Sequence, residues 1–142
     1  MALLDANVLM YAVGAEHPLR PSSQALLDRL VTDPHSIALD AEVLQEILHR
    51  YRSLRRWDLV EGVFEVAGQL VETVFPITQE TLAIARQVME RHQNASARDA
   101  IHCAVVWEHA LDGICSFDRD FDSFEDLDRF TPDPTGQLIK VS

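Results

Sequence analysis

Short apolar runs alternate along this chain with longer stretches in which apolar residues recur every three to four positions. The short runs predict strands: Leu3-Leu4 ending at Asp5, Ser36-Ile37-Ala38-Leu39, Thr73-Val74-Phe75-Pro76-Ile77, Ile114-Cys115-Ser116-Phe117, and a last one at Arg129-Phe130-Thr131. The longer stretches predict helices. The first runs from Asn7 to Val13, and a second is capped by Ser22 or Ser23 and carries Leu26, Leu27 and Leu30. From Asp40 to Leu54, Val43, Leu44, Ile47, Leu48 and Tyr51 trace one helical stripe, and Asp58 to Leu70 repeats it. Thr78 caps a further helix through Leu82, Ala85, Val88 and Met89, and Ala97 to Leu111 is the last. Strands that are apolar throughout, rather than alternating, belong to a parallel sheet covered on both faces. The expected architecture is therefore a three-layer α/β/α sandwich with a mainly parallel central sheet, one domain over residues 1–131. Residues 132–142, with two prolines and a glycine, are expected to form an irregular tail.

Composition narrows this without changing it. At 142 residues, 47% hydrophobic and 25% charged, the chain has the balance of one globular domain with a proper core. No apolar run approaches the roughly 20 residues of a membrane span. Met1-Ala2-Leu3-Leu4-Asp5 lacks the basic start of a signal peptide, so the expected location is the cytoplasm. Cys103 and Cys115, in apolar surroundings, read as buried small hydrophobes rather than a disulfide or a zinc site. The net charge of −11 disfavours broad electrostatic capture of nucleic acid. An acidic chain still acts on phosphates when its acids hold a metal that reverses the local charge.

The placement of the acids is what matters. In parallel sheets ligands bind at the carboxyl ends of the strands. Asp5 follows the first predicted strand, Asp40 the second and Asp118 the fourth, with Asp120 and Asp122 just beyond. Glu46 lies off the apolar stripe of its helix, and Asp99 opens another helix. Each acid alone has an ordinary structural role: Asp5 and Asp40 as helix N-caps, and Asp99 with Ser96 as an S-x-x-D capping box. Together, Asp5, Glu46, Asp99 and Asp118 form a different object. Four carboxylates on one rim repel one another and raise each other's pKa unless a cation neutralises them. An all-oxygen donor set favours Mg²⁺ or Mn²⁺, and a metal-bound water is the usual nucleophile in phosphodiester hydrolysis.

These residues also carry a family resemblance. Asp5-Ala-Asn7-Val-Leu9 resembles the opening D-x-N-x-L motif of the PIN-domain ribonucleases, particularly the VapC-type toxins of bacterial toxin–antitoxin pairs. Val43-Leu-Gln-Glu46-Ile is similar to their helix-borne glutamate, and Asp99-Ala-Ile-His102-Cys-Ala104 to the D-A-x-x-x-A segment bearing their third acid. Ser116-Phe-Asp118-Arg-Asp120-Phe121 is similar to their T/S-x-D-x-D-F signature, with Ser at 116 where Thr is commoner. The resemblance implies an Mg²⁺- or Mn²⁺-dependent endoribonuclease, a homodimer, and inhibition by a cognate VapB-type antitoxin. It assigns Asp5, Glu46, Asp99 and Asp118 as the acidic quartet, Asp120 as an auxiliary acid, and Asn7 and Ser116 as residues that orient the carboxylates. A non-catalytic PIN-like module that docks RNA or protein is the alternative, and loss of a quartet acid would be its signature. A haloacid-dehalogenase-type phosphohydrolase fits less well, because Asn7 stands where its second acid is needed.

His49-Arg50-Tyr51-Arg52-Ser53-Leu54-Arg55-Arg56-Trp57 concentrates positive charge beside aromatics in an otherwise acidic chain. Such a segment suits RNA phosphates and bases, or an acidic segment of an antitoxin. Arg50, Arg52, Arg55, Arg56 and Arg98 are the candidate contacts. The ordinary role of the 49–57 cations is to sit at a helix C-terminus, favoured by the macrodipole, with Tyr51 in the core. His102, one turn after Asp99, reads as a structural residue at a helix boundary and stays outside the catalytic set.

Overall fold

A computed structural model describes residues 1–142. Its elements follow in the order β1 (Ala2–Leu4), α1 (Ala6–Val13), α2 (Arg20–Leu30), β2 (Ile37–Asp40), α3 (Ala41–Ser53), α4 (Val60–Leu70), β3 (Val74–Phe75), α5 (Gln79–Arg91), α6 (Ala97–Glu108), β4 (Ile114–Cys115), β5 (Arg129–Pro132) and β6 (Leu138–Lys140). Short 3₁₀ turns at Trp57–Leu59 and Arg119–Ser123 complete the set. The strands form one six-stranded sheet in the order β3-β2-β1-β4-β5-β6, with β6 alone antiparallel to its neighbour.

Successive side chains of a strand point to opposite faces, and β1 shows what that does to the core. Ala2 and Leu4 join the apolar cluster built with α1 to α4, whereas Leu3 joins the cluster built with α5 and α6. Both faces of the sheet are thus covered, which is the expected α/β/α sandwich with a mainly parallel sheet. Cys103 and Cys115 are buried free thiols, as expected, and burial pushes each up to about 12. No helix is long and apolar enough to cross a membrane.

The chain winds from β1 through β2 to β3 on one side, then crosses back to add β4 and β5 on the other. The winding reverses between β1 and β4, where the parallel register sets Leu4 beside Cys115. At such a switch point the connections leave in opposite directions and open a crevice beyond the strand ends.

Three local expectations are corrected. The tail is not irregular: Leu138–Lys140 pair with β5, joined by a turn in which Asp133 Oδ1 accepts the backbone N–H groups of Thr135 and Gln137. Pro132 ends β5 and Pro134 lies in the turn itself, so neither proline occupies a position in β6 that must donate to the ladder. The second helix starts at Arg20 rather than at a serine cap, since Pro21 is tolerated in a first turn, and Ser23 Oγ instead donates to the Leu19 carbonyl at 2.7 Å. The segment after Arg56 opens with a 3₁₀ turn before α4 begins at Val60.

Candidate active site

Asp5 is the first residue past β1 and caps α1, its Oδ1 accepting the Ala6 N–H at 2.8 Å. Its other oxygen accepts a 2.6 Å hydrogen bond from Ser116 Oγ, just past β4. Ser116 Oγ in turn accepts from Asn7 Nδ2 (3.1 Å) and from the Asp118 N–H (3.0 Å), while Asn7 Oδ1 accepts the Phe117 N–H (3.4 Å). The β1 and β4 ends are thereby tied together by Asn7 and Ser116, the two residues expected to orient the acids. Ser116 is fully buried.

Glu46 comes from α3 and is 6% exposed, more deeply set than a residue on the polar face of a helix would be. Its Oε1 pairs with Arg98 Nε at 3.5 Å, and its Oε2 is buried without a hydrogen-bond partner. Desolvation first, and the charge of Asp5 second, push the Glu46 carboxyl above its usual range despite Arg98. Asp99 sits in the first turn of α6, where Ser96 Oγ accepts its backbone N–H at 3.1 Å and leaves its carboxylate free. Burial, and then the charge of Asp118, push Asp99 upward too.

The acids form two adjoining groups. Ligand atoms of Asp5, Glu46 and His102 lie within 4.8 Å of one another, as do those of Asp99, Asp118 and Asp120. Asp118 and Asp120 stand on the 3₁₀ turn after β4, where Asp118 Oδ1 accepts the Asp120 N–H at 2.9 Å. Asp99, Asp118, Asp120, Arg98 and Arg119 border an open cleft of about 480 Å³. A set of hard oxygen donors, two of them held above their ordinary pKa and one bearing an unpartnered buried oxygen, suits a divalent cation.

His102 is the residue sequence reasoning set aside. It is fully buried on α6, and its Nδ1 lies 2.7 Å from Oδ2 of the equally buried Asp40. Asp40 is also the N-cap of α3, accepting the Val43 N–H at 2.8 Å, so the capping role expected of it holds alongside a second one. Burial alone would lower His102, but the Asp40 hydrogen bond and the charges of Asp40, Asp5 and Glu46 raise it to about 9. Its Nε2 has no partner. The signal available in the sequence was Asp40 at the carboxyl end of a second parallel strand, level with Asp5.

Asp122 does not join the acidic cluster. It takes a two-pronged ion pair from Arg129 (2.7 and 3.1 Å), whose third nitrogen donates to the Ser116 carbonyl at 3.1 Å. Arg129, 6% exposed, is a support that hydrophobic patterning does not reveal. The basic segment is divided. Arg98 touches Glu46, and the charge of Arg50 acts on it from one helical turn away. Arg52 lies 4.2 Å over the Trp57 ring, Arg56 pairs with Asp58, and Arg55 carries a left-handed φ of 55° at the end of α3. All four arginines from 50 to 56 are exposed.

Residues 2–127 match the PIN domain family model. Ribonuclease VapC13 of Mycobacterium tuberculosis is 40% identical over 129 residues, covering 91% of this chain and 98% of the relative. Among solved structures, the Mycobacterium tuberculosis sarcin-ricin loop cleaving toxin VapC20 superposes with a TM-score of 0.70 at 19% identity, over 87% of this chain and 94% of that one. A toxin–antitoxin complex from Klebsiella pneumoniae superposes with a TM-score of 0.63 at 13% identity, over 94% and 98%. With an acid-lined crevice at the sheet's switch point, and a family match and close relatives spanning nearly its whole length, the chain belongs to the PIN-domain family, among its VapC-type ribonucleases.

Proposed function

We propose that this chain is a divalent-metal-dependent endoribonuclease and the toxin of a VapBC-type toxin–antitoxin pair, hydrolysing RNA phosphodiester bonds at the rim between β1 and β4. What supports the reading is that Asp5 and Glu46 cluster beside a second group of Asp99, Asp118 and Asp120, acids brought from four separate elements. Asp5, Glu46, Asp99 and Asp118 would hold Mg²⁺ or Mn²⁺, with Asp120 as an auxiliary acid. When bound, that ion supplies an activated water and offsets the charge of the scissile phosphate.

The chain's own residues do the rest. Asn7 and Ser116 hold Asp5 in one orientation, so no rotamer search precedes binding. Arg98 and Arg119 stand at the cleft edge as cations for phosphate oxygens. Arg50, Arg52, Arg55 and Arg56 extend that positive track, with Trp57 offering a stacking face. An acidic segment of an antitoxin would compete for the same arginines. The names of the 40%-identical relatives support the ribonuclease reading, and the fold shared with a toxin–antitoxin complex is in keeping with an antitoxin partner. The working form we propose is a cytoplasmic homodimer.

The test is cleavage of total cellular RNA by purified, antitoxin-free protein in Mg²⁺, in Mn²⁺ and in chelator, beside Asp5→Asn and Asp99→Asn. Discrete cuts that require metal and both acids are expected. Binding of RNA without cleavage in any metal would overturn the reading in favour of a docking module.

A further inference from the structure

We propose that Asp5, Glu46 and His102 form a mixed carboxylate–imidazole subsite that selects a transition-metal ion such as Mn²⁺ over Mg²⁺, beside the all-carboxylate group of Asp99, Asp118 and Asp120. The inference rests on the metal-dependent reading above and adds a nitrogen ligand to it.

Two independent observations carry it. Three buried side-chain atoms in the chain lack a hydrogen-bond partner: Arg20 Nε, Glu46 Oε2 and His102 Nε2. The last two belong to residues that, with Asp5, each offer a ligand atom within 4.8 Å of the others. An unpartnered carboxylate oxygen and an unpartnered ring nitrogen, both shut off from solvent on neighbouring residues, suit a cation whose binding displaces the proton that His102 otherwise carries. Orphaned buried polar atoms are costly, and native proteins retain few without a use.

The second observation is Asp40. A metal-ligating histidine almost always gives its other ring N–H to a carboxylate, which fixes the ring and raises the basicity of the ligating nitrogen. Asp40 Oδ2, 2.7 Å from His102 Nδ1, is that carboxylate. Both residues are fully buried, so Nε2 has one orientation. Asp40 is itself fixed, since its other oxygen caps α3. Imidazole suits transition metals, whereas Mg²⁺ prefers oxygen donors and retains water. The nitrogen therefore biases this subsite toward Mn²⁺, while the carboxylates of the neighbouring group suit either ion.

The experiment is pulsed electron paramagnetic resonance on the full-length protein loaded with Mn²⁺, with calorimetric titration of Mn²⁺ and of Mg²⁺. Nitrogen-14 modulation from a directly bound imidazole is expected in the wild-type spectrum. His102→Gln should abolish that modulation and lower Mn²⁺ affinity at least about tenfold, with Mg²⁺ affinity little changed. Asp40→Asn should lower Mn²⁺ affinity by roughly 10- to 100-fold. Mn²⁺ bound without nitrogen modulation in the wild type would overturn the imidazole subsite and leave the carboxylate reading standing. Failure to bind either ion would overturn both. The wild-type spectrum decides the matter even if the His102 variant folds poorly.

Discussion

Ser116 Oγ donates a 2.6 Å hydrogen bond to Oδ2 of Asp5, joining residues 111 positions apart. The same oxygen accepts from Asn7 Nδ2 and from the Asp118 backbone, so one hydroxyl sets the relative positions of Asp5 and Asp118. Ser116→Ala leaves these three groups short of a partner, that of Asp5 buried and those of Asn7 and Asp118 partly so. A stability loss of about 1–3 kcal/mol is expected, read from the melting temperature. RNA cleavage should fall well beyond what the loss of folded protein explains, because Asp5, which we propose to bind the metal, is no longer held. Ser116→Thr keeps the hydroxyl and should retain both stability and cleavage.

Glu46 is held at a cost. Burial and the nearby Asp5 disfavour its charged form, and Arg98 offsets this only in part. Glu46→Gln removes the buried charge while keeping the shape. In chelator, the variant should therefore melt a few degrees above the wild type. In Mn²⁺ the order should reverse, because an ion that binds only the folded wild type adds about 2.7 kcal/mol at a hundred times its Kd. Thermal melts of both proteins with and without Mn²⁺ check this. A variant less stable than the wild type in chelator would show that Glu46 is a structural ion-pair partner instead.

Much of this site was legible in the chain because parallel topology turns strand ends into one rim. Asp5 and Asp118 could be assigned to it from the apolar runs before them, and Asn7 and Ser116 lie within two residues of those acids. What did not show were pairings between distant segments. Nothing local distinguishes His102 from a packed core histidine, since its partner Asp40 is 62 positions away and already explained as a cap. Asp122 had the same ambiguity: its sequence neighbours suggested a metal cluster, but Arg129 on the next strand claims it. The edge strand β6 was hidden by prolines, whose meaning depends on whether the position needs a ladder hydrogen bond.

That Asp122–Arg129 pair makes a separate prediction. Arg129 holds the loop bearing Asp118 and Asp120 by gripping Asp122 and the Ser116 carbonyl together. Hydrogen bonding from Arg129 keeps the Asp122 carboxyl below its usual range. A carboxyl depressed in the folded state contributes stability above its unfolded pKa, and that stability is lost as pH falls through the folded value. Asp122→Asn should therefore flatten the acid side of the stability profile, measured by denaturant melts at stepped pH. Arg129→Met leaves a partly exposed carboxylate rather than a fully buried one, so a cost of about 2 kcal/mol is expected, below the 3–5 kcal/mol of a wholly buried pair. An Asp122→Asn profile as steep as the wild type would mean the pair is not what acid breaks.

Gly136 tests whether the C-terminal hairpin is part of the domain's stable unit. It sits in the turn between β5 and β6 with φ +83°, donating its N–H to the Asp133 carbonyl at 2.9 Å. A Cβ there would lie 2.3 Å from the Ala25 carbonyl oxygen on α2, a backbone atom that cannot swing aside. Alanine therefore meets both an unfavourable backbone conformation and a clash, and the turn must lift off α2 to relieve it. Gly136→Ala is expected to destabilise the protein by more than about 1 kcal/mol, well beyond a neutral surface change. Hydrogen exchange should quicken first at Val141, whose N–H bonds the Arg129 carbonyl across the hairpin. Because Arg129 on β5 also supports the loop of Asp118, metal affinity should weaken along with it. Wild-type melting and unchanged exchange in the variant would mean that the turn accommodates the Cβ without lifting off α2.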